Sequence, residues 1–281
     1  MRIGIIVEPF TFVKVYHMQA QPIIPWMGGK RRLADILLPR FPVHHTYVEL
    51  FAGGAALYFM RHIPAKVEVI NDVNGDVVNL YRVVQNHLEE FVRQFKYALS
   101  SRQIFEWLKE TPSHTLTDIQ RAARFFYLQQ HCFGGKVDGQ SWGFAPSAPP
   151  VNLLRIEEKL SAAHLRLAAA YIENDDWHKV FKRYDRPDTL FYFDPPYWET
   201  EGYGVNFAWD EYVKIAEAMR TMQGKGIVSH KDHPAIRELF ADFDIEEVPF
   251  EYSLPSGDKT QKVTELIIYS WDRADEPTGL F

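Results

Sequence analysis

The segment Tyr47-Val48-Glu49-Leu50-Phe51 reads as a buried strand and is broken at once by Gly53-Gly54. A helical pattern over Ala55 to Arg61 follows, then a second strand over Val67 to Ile70 closed by Asn71-Asp72, then a helix carrying Val77, Leu80, Tyr81 and Val84. Strand, glycine turn, helix and strand in that order constrain the chain more than any other stretch. They are the opening unit of a doubly wound parallel sheet, so the expected fold class is α/β and Rossmann-like.

The alternation has one interruption. Residues 87–170 show helices without strands. Thr117 and Gln120 make a capping-box pattern before a helix whose Ile119, Ala122, Ala123, Phe126 and Tyr127 share a face. A Gly- and Pro-rich stretch from Gly134 to Pro150 has no periodicity, and a further helix is expected over Asn152 to Leu167. Strands resume near Ala170 to Glu173, Leu190 to Phe193, Gly226 to Ser229, Ile245 to Phe250 and Thr264 to Tyr269, the last two joined like a hairpin. We therefore expect a discontinuous α/β domain over 18–86 and 171–281, a helical insert over 87–170, and an N-terminal extension over 1–17. Within that extension, Ile3 to Val7 reads as an extra strand or a lead-in without a targeting role.

Composition narrows the class. With 46 % hydrophobic residues the chain has ample surface to bury, and disorder is excluded. Cys132 is the only cysteine, so an intramolecular disulfide and a multi-cysteine zinc site are both excluded, and a reducing cytoplasm fits. No run approaches the roughly 20 apolar residues of a membrane span. The net charge is −6, but it is uneven: +4 over 1–45, −1 over 46–86, +2 over 87–170 and −11 over 171–281. A positive cleft can coexist with that total, so a polyanionic partner stays open.

Three stretches carry chemistry. Asp194-Pro195-Pro196-Tyr197 follows a buried run, and two prolines cannot continue a strand, so Asp194 sits in a stiff turn at a strand's carboxyl end, where open α/β sheets bind ligands. Glu49 to Ala55 is a strand ending in a glycine turn that opens a helix, where backbone can approach a ligand and amides are free. Asp72, at the end of the next strand, is placed to accept from ribose hydroxyls or to cap a helix. The third stretch, Trp26-Met27-Gly28-Gly29-Lys30, is not a phosphate loop: Ile24 stands where the first glycine belongs and Arg31 follows the lysine.

In this order the three stretches resemble the Dam-like class of DNA adenine methyltransferases, over roughly residues 22–270. Leu50 replaces the proline usual in that class, and Ala55 replaces its second glycine. Ile172 to Trp177 looks like the segment beside the cofactor adenine. The resemblance implies a methyltransferase sheet with S-adenosylmethionine as cofactor, bound by Trp26, Lys30, Glu49, Phe51, Gly53, Gly54, Asp72, Asp176, Trp177 and Asp194, with Lys30 near its methionine end. It implies double-stranded DNA as partner, a flipped target adenine, and a monomer or weak dimer. Asp194 and the carbonyl of Pro195 would accept the two hydrogens of the adenine amine, a poor nucleophile until it becomes more tetrahedral, and Tyr197 would stack on the base.

The insert is expected to read the target, with Phe133 wedging or stacking and Lys136 and Arg124 on phosphate. In the enzymes that methylate GATC an arginine that reads guanine stands where this chain has Asp138, and an aspartate cannot donate to guanine's acceptors. We therefore expect a target other than GATC or loose specificity. His230 and His233 lack a third ligand and no metal site is expected; His44 and His45 are expected to face solvent. Two alternatives stay open: methylation of another nucleobase amine, on cytosine or RNA adenine, and a catalytically silent nucleic-acid-binding protein.

Overall fold

Strand β1 (Thr46–Glu49) lies at the centre of one seven-stranded sheet and pairs in parallel with β2 (Val67–Asn71) on one side and β4 (Thr189–Phe193) on the other. These relations come from a computed structural model that describes residues 20–143, 156–199, 207–253 and 260–275. Beyond β2 lies β3 (Ala170–Glu173), and beyond β4 lies β5 (Lys225–Lys231), all parallel. The last two strands, β6 (Asp244–Ser253) and β7 (Thr260–Tyr269), form a hairpin, and it is β7 that inserts antiparallel beside β5. The order is β3-β2-β1-β4-β5-β7-β6.

Alternate side chains feed two apolar layers, as the two-residue period of a strand requires. Val48, Val69, Phe191, Phe193 and Val228 face helices Trp177–Tyr184, Trp209–Thr221 and Pro234–Leu239. Tyr47, Ile70, Leu190 and Tyr192 face the other way, onto helices Ala56–Met60 and Gly75–Asn86. The helices of 87–170, among them Arg102–Glu110, Asp118–His131 and Ile156–Leu167, share this second layer through Phe105, Phe126 and Leu167. Both bonds of the capping box at Thr117 and Gln120 are formed. Arg166 Nη2 reaches Glu68 Oε1 on β2 at 2.7 Å, pinning helix Ile156–Leu167 to the sheet.

The chain runs from β1 outward through β2 to β3 and then returns to β4 on the opposite side, so the carboxyl ends of β1 and β4 flank the point where winding reverses. Ligand crevices of open parallel sheets form there. Ile3 to Val7, and the part of the Gly- and Pro-rich stretch after Gly143, lie outside the described residues. His44 is corrected: Arg61 Nη2 donates to its Nε2 at 2.8 Å and its Nδ1 lies 2.6 Å from the Pro42 carbonyl, because the strand entry folds back on helix Ala56–Met60. Among the described residues no helix is long and apolar enough to cross a membrane.

Candidate active site

A cavity of about 500 Å³ opens at the carboxyl ends of β1 and β4. Its wall includes all ten residues the resemblance assigned to a cofactor, from Trp26 and Lys30 through Glu49, Phe51, Gly53, Gly54 and Asp72 to Asp176, Trp177 and Asp194. Gly53 has φ +47°, and a Cβ there would sit 2.3 Å from Trp26 Nε1, so only glycine lets the indole lie across the turn. Its amide donates to Asp72 Oδ2 at 2.7 Å, and Asn74 N donates to Asp72 Oδ1 at 2.8 Å. Asp72 thus clamps the turn while keeping further lone pairs for a ligand. Ala55 takes φ 48° as N-cap of Ala56–Met60, so the position keeps the left-handed backbone that favours glycine although its side chain does not.

Glu49 ends β1 and is 2 % exposed. Oε1 accepts from Tyr47 Oη at 2.8 Å and Tyr58 N at 2.9 Å, whereas the buried Oε2 has no hydrogen-bond partner. Burial is the main cause that pushes its carboxyl up to about 7, against the pull of both donors. A carboxyl oxygen held without a partner in a cavity wall suits a cationic ligand group, whose charge would favour its ionised form.

Asp194 directly follows β4. Its Oδ1 accepts from Lys30 Nζ at 2.6 Å and from Ser229 Oγ on β5 at 3.4 Å. Ser229 in turn lies 2.5 Å from Tyr192 Oη. Lys30 is 3 % exposed, so its ammonium is taken out of water and held by charge-assisted bonds to Asp194, to Tyr197 Oη at 2.6 Å and to the Gly28 carbonyl at 3.1 Å. Burial dominates at Asp194 and pushes the carboxyl up to about 6; Lys30 opposes this and the charge of Glu265 adds to it. Tyr197 is 8 % exposed, its ring centroid 4.8 Å from that of His230. Its hydroxyl, to which the resemblance assigns no part, meets Lys30 and both oxygens of Glu265, the latter at 2.9 and 3.0 Å. His230 accepts from Trp198 N through Nε2 at 3.0 Å, and burial pushes its pKa down to about 4, so it holds the turn as a neutral ring. Among the described residues no group of three His, Cys, Asp or Glu is arranged for a metal ion.

The model of the D12 class of N6 adenine-specific DNA methyltransferases matches residues 26–254. The chain belongs to that class. It is 25 % identical over 276 residues to a type II methyltransferase of Lactococcus lactis subsp. cremoris, covering 89 % of this chain and 95 % of the relative. A type II methyltransferase of a Paramecium bursaria Chlorella virus is 25 % identical over 265 residues, covering 89 % and 100 %. The DNA adenine methylase of Haemophilus influenzae is 25 % identical over 275 residues, covering 89 % and 93 %.

Within this D12 enzyme the residues expected to meet DNA are split. Phe133 is 47 % exposed in the turn Phe133–Gly135, and Lys136 and Asp138 beside it are exposed. Arg124 is a correction: its Nε donates to Leu108 O at 2.6 Å and its Nη2 to Lys109 O at 3.3 Å, so its guanidinium caps helix Arg102–Glu110 and is half-buried there instead of facing phosphate. The turn also touches the cavity wall: Met27 N donates to Gly135 O at 3.1 Å, and a Cβ on Gly135, at φ +65°, would lie 3.0 Å from the Trp26 backbone. The sequence singles out none of Ser229, Glu265 and Phe207 as site residues, and His230 only as one of a pair too small to hold a metal. Only Glu265, a lone charge in the apolar run Val263 to Tyr269, left a visible signal.

Proposed function

We propose that the cavity binds S-adenosylmethionine and that Asp194 receives the exocyclic amine of an adenine flipped out of double-stranded DNA. When bound, the cofactor supplies an electrophilic methyl group on a sulfonium centre. The residues fit it: the partnerless Glu49 Oε2 suits the α-ammonium of its methionine end, Asp72 beside the glycine turn suits ribose hydroxyls, and Phe51 and Trp177, with ring centroids 6.0 Å apart, offer apolar faces to a purine. Trp26, Lys30, Gly53, Gly54 and Asp176 complete the wall.

The observation that carries the proposal is the asymmetry of Asp194. Both hydrogen bonds it accepts among the described residues go to Oδ1. Oδ2 is left for one amine hydrogen, and the Pro195 carbonyl for the other. Two acceptors would draw the nitrogen toward a tetrahedral shape and stabilise the positive charge that develops on it during methyl transfer. A carboxyl near 6 is ionised at neutral pH and basic enough to take the proton the nitrogen then loses. Tyr197 stacks on the base through its ring, and the insert over 87–170 reads the target with Phe133 and Lys136. Asp138 favours a site other than GATC.

The test is Asp194→Ala with labelled cofactor and plasmid DNA. Methyl transfer falls by at least about 100-fold while cofactor binding by calorimetry changes little. Substantial residual transfer would refute the assignment. Mapping the methylated positions on wild-type-treated plasmid identifies the target base and site.

A further inference from the structure

The mechanism leaves one buried carboxylate without a role. Glu265 is 0 % exposed on β7, and its pairing register with Lys231 brings it to the edge of β5 nearest the Asp194 turn. Both its oxygens lie within 3.0 Å of Tyr197 Oη. A phenol has one proton, and beside a carboxylate that proton is donated to it. The hydroxyl's lone pairs are therefore what Lys30 Nζ meets at 2.6 Å. The ammonium has three protons and three acceptors: Tyr197 Oη, Asp194 Oδ1 and Gly28 O. Charges along this line alternate, negative at Glu265, positive at Lys30, negative at Asp194.

We propose that Glu265 is a positioning residue for methyl transfer: it fixes the Tyr197 hydroxyl as a donor, aims that oxygen's lone pair at Lys30, and so holds the ammonium that orients Asp194. Without its carboxylate the phenol loses the acceptor that fixes its proton away from Lys30, and a proton turned toward Lys30 would set donor against donor. The ammonium then loses one of its three acceptors, and Oδ1 of Asp194 is held by a mobile cation and by Ser229 at 3.4 Å. The role of Glu265 in catalysis rests on the reading that Asp194 receives the target amine; the relay itself does not, and the test separates them.

Two readouts are taken. In 15N-lysine-labelled protein without cofactor or DNA, the Lys30 ammonium, assigned by its loss in Lys30→Met, gives a slowly exchanging signal. Glu265→Gln and Tyr197→Phe each speed that exchange at least about tenfold. In steady-state methyl transfer at saturating cofactor, each variant lowers kcat about 10- to 100-fold, the range expected for loss of one hydrogen bond to a charged group. The cofactor KM changes less than about threefold. The double variant Glu265→Gln/Tyr197→Phe is no slower than Tyr197→Phe, because the two act through one hydroxyl. Unchanged ammonium exchange, or losses that multiply in the double variant, overturns the proposal. If Glu265→Gln does not fold, Tyr197→Phe, which keeps the carboxylate, decides on the same exchange signal. If the wild-type enzyme transfers no methyl group to DNA, the reading of Asp194 fails, while the exchange measurement still decides the relay.

Discussion

Glu49→Gln should make the protein more stable and the enzyme worse. Burial pushes the Glu49 carboxyl from its ordinary 4.5 up to about 7. A carboxyl raised on folding supports the fold fully only below its unfolded pKa, and that support is lost as pH rises through the folded value. A rise from 4.5 to about 7 costs up to about 3 kcal/mol above pH 7, at roughly 1.36 kcal/mol per unit. At pH 5.5, one unit above the ordinary value, the cost is about half as large. The amide keeps an oxygen for Tyr47 and Tyr58 and carries no charge. Urea unfolding should show the variant stabilised by roughly 3 kcal/mol at pH 8.5 and by about half that at pH 5.5, while cofactor affinity falls. A variant destabilised at pH 8.5, or a difference independent of pH, would refute the assignment of charge to this buried oxygen.

Lys30→Met removes the cation 2.6 Å from Asp194 and moves the carboxyl further above 6. The acid limb of kcat, measured at saturating cofactor, should move to higher pH, with up to tenfold lost at pH 7 for each unit the carboxyl rises beyond it; a limb that stays put or moves to lower pH contradicts the pairing. Gly53→Ala places a methyl 2.3 Å from the Trp26 indole at a left-handed φ, so cofactor affinity by calorimetry should drop at least tenfold and the protein should lose about 1–3 kcal/mol. Near-normal binding would mean the indole does not depend on that turn.

Much of this architecture was legible because local pattern and tertiary environment agree. Buried parallel strands read as continuous apolar runs, and Gly53, Asp72 and the Asp-Pro-Pro-Tyr turn fall at strand ends, where ligands meet open sheets. What stayed hidden depends on pairings distant in sequence. The hairpin of the last two strands could be read, but not that β7 pairs with β5, and that pairing alone carries Glu265 to Tyr197, 68 positions away. Arg124 failed for a similar reason. A basic side chain on a helix face looks free for phosphate until the neighbouring helix end supplies carbonyls for it. His44 looked solvated for want of Arg61, whose approach the sequence does not announce.

The hydrogen bond from Met27 to Gly135 sets a boundary for chimeras. Transplanting residues 133–140 from a relative, to borrow its sequence preference, also replaces the fastener that steadies Trp26. Such a graft keeps the cavity wall around Trp26 intact only if the incoming loop brings glycine at 135, with its carbonyl turned to Met27.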